Sequence, residues 1–334
     1  MRLPPALLPP ARQVKALARK VGLVPPLAPP IGPVRPDVEL DVAMDIAPDQ
    51  VWRATRLPRH GPQPWLDRPD AEEEVAKRLK YGHITADQAD LCRHWIRDGY
   101  VIIRGLIDQA TLDDVWRHYE QYLAAGLLET RDDEAQGPGD VLRGRTLSPH
   151  VVVSRMRGLL EDRRLVDVAE LLLGAEALPF QTIAGHKASQ QALHSDSIHM
   201  TTYPLGYLVA NWIAFEDITA DSGPLRFVPG THRLDTLYAD EVGIDHRMHE
   251  RDIFGHFNVT YSPRIEAIAE SFPRPSEVFT ASAGDVLFWH ANLLHGGSMR
   301  TNYLQSRRSV VCHYFAKGCV CYHDLTGILA DVDR

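Results

Sequence analysis

Two hydrophobic rhythms divide the chain near residue 175. Before that point apolar positions recur at helical spacing. Leu112, Val115, Tyr119 and Leu123 share one face of a segment predicted to be helical over 111–124. Helical signals begin near Ala71. Thr85-Ala86-Asp87-Gln88 has the form of a capping box, in which the threonine caps the helix and the glutamine reaches back, so a helix is predicted to run to about Arg97. Asp98-Gly99 breaks it, and 100–104 (YVIIR) reads as a buried strand. Residues 163–173 predict another short helix, stopped by Gly174. The charged, Gly-containing stretch 131–145 reads as a mobile loop.

Beyond residue 175 the pattern changes to short β-branched and aromatic runs. Strands are predicted at 178–186, 193–198, 207–215, 225–228, 285–290 and 309–315. Turn signals such as Ser222-Gly223-Pro224, Pro229-Gly230 and Ala283-Gly284-Asp285 separate them. Many short strands with turns between them point to a sandwich, barrel or jelly roll, with the earlier helices packed outside. Residues 234–275 interrupt the strands and carry His246, His249 and His256. A long insertion in a β architecture commonly lies over its open mouth, so this segment is the candidate lid.

Composition changes this picture only at the edges. Of 334 residues, 44% are hydrophobic and 24% charged, as in soluble globular proteins. The net charge of -8 argues against a nucleic-acid binder, which would present a basic face. No uninterrupted apolar run approaches membrane-spanning length. Four cysteines, Cys92, Cys312, Cys319 and Cys321, suit reduced thiols in a cytoplasmic enzyme. Residues 1–36 contain no acid and several Pro-Pro steps, and are read as a flexible arm ahead of a single domain over 37–334. Within the arm, 11–23 could form a basic helix (Arg12, Lys15, Arg19) making weak peripheral contact with an anionic membrane. A solvated tail is the simpler reading. Its prolines break any signal-peptide core.

The chemistry concentrates at His194-Ser195-Asp196 and at His295. In an extended chain, residues two apart project to one side, so His194 and Asp196 can converge on one point. With His295 they make two histidines and one carboxylate. That set binds non-haem Fe(II) on one face and leaves other positions open for a co-substrate and O₂. Gly284-Asp285 enters an apolar strand ending at His290. His295-Gly296-Gly297-Ser298 follows, then Arg307-Arg308-Ser309.

With these motifs, and with 98–105, the Trp212 strand, 222–225 and 229–232, the sequence resembles the phytanoyl-CoA dioxygenase family of Fe(II)/2-oxoglutarate oxygenases over roughly 89–325. The resemblance implies a double-stranded β-helix, a jelly-roll or cupin-like barrel. It implies His194, Asp196 and His295 as iron ligands and Arg307 as the partner of the far carboxylate of 2-oxoglutarate. A guanidinium fork suits that role, through two charge-assisted hydrogen bonds. Arg308 is the close competitor, and strand alternation turns only one of the pair inward. Ser298 matches a serine supporting the same carboxylate, although the spacing from His295 to Arg307 is one residue longer here. Trp212 falls where the family has a tryptophan near the co-substrate. The implied reaction consumes O₂ and 2-oxoglutarate, releases succinate and CO₂, and hydroxylates a small-molecule or lipid-like substrate. Related halogenases lack the carboxylate, so Asp196 favours hydroxylation.

Other residues take plainer readings. His290 is structural, and His186, His232 and His313 are satisfied by hydrogen bonds. His199 either touches substrate or packs. Cys312, Cys319, Cys321 and His323 lack zinc-site spacing. The alternatives are a non-oxidative cupin-like metalloenzyme and an inactive binding protein on the same scaffold.

Overall fold

Local chemistry starts the helices where the sequence places them. In the computed structural model, which describes residues 52–54, 57, 61–131 and 139–330, the 1–36 arm and its basic helix lie outside the described residues. Helix α1 (Ala71–Lys80) precedes α2 (Ala86–Asp98). Thr85 Oγ1 accepts from Gln88 N at 3.2 Å, and Gln88 Oε1 accepts from Thr85 N at 2.9 Å, so the capping box forms. Gly99 ends α2 at φ +77°, and a Cβ there would stand 2.4 Å from the His232 ring, so the position demands glycine twice over. Strand β1 (Tyr100–Ile103), α3 (Gln109–Ala124), β2 (Arg145–Leu147), α4 (Ser154–Leu160) and α5 (Arg163–Leu173) follow.

The strand-rich part comprises β3 (Ala177–Gly185), β4 (Thr201–Tyr203), β5 (Leu208–Ala214), β6 (Leu225–Phe227), β7 (Glu277–Phe279), β8 (Val286–His290), β9 (His295–Gly297), β10 (Ser309–Ala316) and β11 (Val320–Tyr322). Five of the predicted strands match these bounds within two residues. One antiparallel sheet has the order β1-β8-β5-β10-β3-β2, a second β7-β6-β9, and β11 pairs with β4. Along β10, Val310, Cys312 and Tyr314 turn to the cluster shared with Val75, Trp95, Tyr119, Met156 and Leu165 of the helices. The opposite face of this sheet supplies Trp212, Leu287 and Trp289, which pack against Leu225, Phe227 and Phe279 of the second sheet. Two facing antiparallel sheets with helices outside one of them form the expected jelly-roll architecture. The sheets are not closed into a barrel.

Two expectations change, and the insertion gains a defined structure. The predicted strand 193–198 is an isolated bridge, His194 to His295, followed by a 3₁₀ turn at Asp196–Ile198. The Asp196 carbonyl accepts from both His199 N (2.8 Å) and Met200 N (2.7 Å), which curls the chain out of the ladder. A three-residue turn is too short to leave a periodic signal. The stretch read as a loop over 131–145 is anchored at both ends, because Arg131 bridges Arg145 and Arg145 begins an edge strand. The 234–275 insertion is largely helical, with α6 (Glu250–His256), a π-helical turn (Phe257–Tyr261) and α7 (Ser262–Ser271). Its Ile253, Phe257, Tyr261 and Ile265 share a cluster with Leu193, Ile198 and Leu294, so it sits over the chain that carries His194 and His295.

Strand β3 carries an irregularity. Gln181 pairs with His313 but Pro179 pairs with Tyr314, leaving Phe180 as the extra residue of a β-bulge.

Candidate metal centre

His194 and His295 face each other as a hydrogen-bonded antiparallel pair, each N–H donating to the other's carbonyl at 2.9 Å. Their rings lie 4.5 Å apart, centroid to centroid. The glycines after His295 make this approach feasible. A Cβ on Gly296 would stand 2.7 Å from the Gln191 carbonyl oxygen, and one on Gly297 2.7 Å from Gln190 N. Each imidazole is oriented the same way. His194 Nδ1 donates to the Ala192 carbonyl and His295 Nδ1 to the Leu293 carbonyl, both at 2.9 Å, which leaves the two Nε2 atoms free. Asp196 Oδ1 lies 3.5 Å from His295 Nε2 and 4.0 Å from His194 Nε2. Its Oδ2 accepts from Trp289 Nε1 at 2.7 Å.

These three buried side chains offer ligand atoms within 4.8 Å of one another, the one such group among the described residues. Burial, reinforced by His295, pushes the His194 imidazole down to about 4, so it presents a neutral lone pair. Burial alone would raise Asp196, but His295, His313 and His194 together hold its carboxyl well below the usual range. Two imidazoles, a carboxylate and an indole N–H fixing that carboxylate fit a divalent iron site.

A 110 Å³ cavity opens from the triad, and Arg307, Trp212, Ser309 and Val311 are among its lining residues. Arg307 is buried, with its guanidinium carbon 5.4 Å from the centre of the Trp212 ring. Arg308 turns away, where its Nε donates to Glu216 at 2.8 Å. Alternation thus places Arg307 inside. Ser298 is absent from the lining of this cavity, and its buried Oγ has no hydrogen-bond partner.

Arg145 and Lys187 also line the cavity and were missed from sequence. Lys187 is buried, with Nζ 3.7 Å from Asp140, which also accepts from Arg300 at 2.7 Å. Neither cation sits in a motif, and Arg145 was hidden at the end of a presumed loop. The Arg-x-Ser spacing was the available signal for Ser309. His313 also belongs here, with Nε2 3.8 Å from Asp196 Oδ2. His199 packs between His194 (5.4 Å), Phe257 (5.3 Å) and His323 (5.9 Å), measured between ring centroids.

The remaining histidines go elsewhere. His290 Nε2 meets Asp67 at 3.2 Å, and His186 Nε2 meets Glu120. Within the insertion, His246 contacts Arg53 and Asp245, and His256 its own helix. The insertion reaches the centre through aromatics instead, Tyr261 Oη accepting from Ser195 N at 3.1 Å. Burial pushes the Cys312 and Cys319 thiols up to about 12, which disfavours the thiolate that zinc needs. No helix among the described residues is long and apolar enough to cross a membrane.

Comparison with known proteins agrees with this geometry. The family model "Phytanoyl-CoA dioxygenase (PhyH)" matches residues 95–309. Ectoine dioxygenase of Bordetella parapertussis is 24% identical over 248 residues, covering 70% of this chain and 80% of that protein. Peroxisomal phytanoyl-CoA dioxygenase of Bos taurus is 23% identical over 255 residues, covering 69% and 68%. Among solved structures, the non-heme alpha ketoglutarate dependent epimerase SnoN from nogalamycin biosynthesis aligns with a TM-score of 0.55. It shares 22% identity, and the match covers 75% of this chain and 93% of that one, a likeness of fold.

Proposed function

The chain belongs to the phytanoyl-CoA dioxygenase family, and from that premise we propose that His194, Asp196 and His295 hold Fe(II), that Arg307 anchors 2-oxoglutarate, and that the enzyme hydroxylates a small-molecule or lipid-like substrate. It is a 2-oxoglutarate-dependent dioxygenase, with Fe(II) and 2-oxoglutarate as its cofactors. The observation that carries the residue assignment is Arg307, whose guanidinium lines the same buried cavity as the triad.

Each side chain has a defined task. Arg307, backed by the Trp212 ring and beside Ser309, grips the far carboxylate of the co-substrate. Arg145 and Lys187 add positive charge to a cavity that must take a dianion. Bound Fe(II), with O₂, supplies the oxidative decarboxylation of 2-oxoglutarate and the oxidation of substrate C–H. Trp289 holds one oxygen of Asp196, so the other faces the two imidazoles. The 234–275 segment acts as lid, and its Phe257 and Tyr261 keep water from the histidines. We read 37–334 as one oxygenase domain. Four free cysteines and an iron that must stay ferrous favour the cytoplasm.

The test is succinate formation. Incubation with Fe(II), 2-oxoglutarate and O₂ is expected to release succinate, and a chelator to abolish it. Arg307→Gln is expected to raise KM for 2-oxoglutarate about thirtyfold or more, the equivalent of roughly 2 kcal/mol or above for breaking a buried charge pair. Arg308→Gln is expected to stay within about twofold, because its charge is spent on Glu216. A non-oxidative metalloenzyme would release no succinate.

A further inference from the structure

The backbone around His194 has one edge paired and one edge open. His194 N–H turns to the His295 carbonyl on β9, so the N–H groups of Leu193 and Ser195 turn the opposite way. Among the described residues no strand pairs with that outer edge. Both residues are buried, and a buried N–H left without an acceptor costs free energy. Side chains of the insertion stand where a strand would be. Tyr261 Oη accepts from Ser195 N at 3.1 Å and shares a second bond with Ser195 Oγ at 3.2 Å. Glu266 Oε1 accepts from Leu193 N at 3.3 Å. An edge strand covered by a helix is thus also hydrogen-bonded by it.

Both acceptors are themselves fixed. Tyr261 is fully buried, and its ring stacks on that of Phe257, 5.0 Å away. Phe257 packs on His199 and His199 on His194, so the insertion also reaches the His194 ring. Glu266, on α7, accepts from Arg226 Nη2 at 2.9 Å. Arg226 belongs to β6, where the next residue, Phe227, pairs with His295 of β9. A closed circuit of contacts therefore runs from His295 through β9, β6 and α7 back to His194. Tyr261 ends a π-helical turn, a geometry rare in helices and frequent at functional sites.

We propose that Tyr261 and Glu266 are positioning residues for the metal pair, replacing an edge strand to hold His194 and Asp196 in register for iron. The inference rests on the oxygenase reading above and gives the insertion a second task besides covering the site. Ser195 lies between the two ligands, so displacement of its amide moves both. Tyr261 carries more of the effect, because the Glu266 side chain is 36% exposed and shares its oxygen with Arg226. The coupling is reciprocal: whatever the seated insertion adds to metal affinity, bound metal adds to the stability of the seated insertion.

The full chain can be titrated with Fe(II) without O₂, and hydrogen exchange over 257–271 followed with and without the metal. Tyr261→Phe keeps the ring and removes the acceptor of Ser195 N. It is expected to weaken Fe(II) binding about tenfold or more, and Glu266→Ala about threefold. The affinity of the metal-saturated chain for 2-oxoglutarate should stay within about twofold in both, because Arg307 is untouched. Tyr314→Phe is the control, since that hydroxyl is equally buried but donates to the Leu160 carbonyl at the end of α4. It should lower the urea midpoint as Tyr261→Phe does and leave Fe(II) affinity within about twofold. Fe(II) should slow exchange over 257–271 in the wild type, by about fivefold or more, and far less in Tyr261→Phe. Fe(II) affinity unchanged in Tyr261→Phe, an equal loss in Tyr314→Phe, or exchange indifferent to Fe(II) would overturn the proposal. A wild-type chain that binds Fe(II) and yet forms no succinate would overturn the oxygenase reading instead, with the metal titrations still reporting on Tyr261. A wild-type chain that binds no Fe(II) would overturn both.

Discussion

Trp289 is the residue through which the core sheet reaches the proposed metal ligands. It stands on β8 among the side chains that fill the space between the sheets, and its one polar atom donates to Asp196. Its ring also lies 4.9 Å from that of His295, so it touches two members of the triad. Trp289→Phe keeps most of the packing and removes the hydrogen bond. Losing such an outer contact is expected to weaken Fe(II) affinity about 10–100-fold. A metal titration checks this, and unchanged affinity would show that Asp196 is held by its histidine neighbours alone. The sequence marked 285–290 as an apolar strand, and Trp289 lies on it. Which acceptor its indole meets depends on a turn nearly a hundred residues away. The same holds for Arg307 and Arg308, where alternation says that they part without saying which goes inward.

Among the elements, β9 shows most directly how a local motif becomes a site. It is three residues long, and its two glycines let it lie against the backbone of residues 190–192. Gly296→Ala would drive a methyl into the Gln191 carbonyl and push β9, with His295, away from His194. The expected cost is about 1–3 kcal/mol in urea unfolding, together with weaker Fe(II) binding. Gly255→Ala is the control. Gly255 lies on α6 with nothing within 4 Å of the added carbon, so the change should be neutral or slightly stabilising. If both variants behaved alike, the close approach of β9 would not matter. The capping box of α2 was legible because all its partners lie within four residues. The bulge in β3 was not, because it is defined by the register against β10.

For the whole molecule, the pH response follows from what the fold buries. Burial pushes His194 and His323 down to about 4 and His232 to about 3, and it lowers His94, His150 and His199 as well. The unfolded chain protonates these rings near 6.5, so between 6.5 and the folded values it binds more protons than the native state. Their contribution is complete above about pH 6.5 and is lost as the pH falls through the folded values. Asp324 acts in the opposite sense, because burial raises it to about 7 and its contribution fades as the pH rises from about 4. Six histidines outweigh one carboxyl. The urea midpoint is therefore expected to fall from pH 7.5 to pH 5.5, and a midpoint that held or rose would contradict this balance.

The chain's own text determined the helices, most strands and the positions of the candidate metal and carboxylate motifs, because periodicity, caps and turns act between residues close in sequence. Tertiary structure decided which arginine faces the cavity, replaced Ser298 by Ser309 in its lining, and brought Arg145, Lys187 and His313 to the centre. It also turned Asp196 out of a strand. Each of these depends on which surface of a strand meets the core and in what register, and that is set only when distant segments pair.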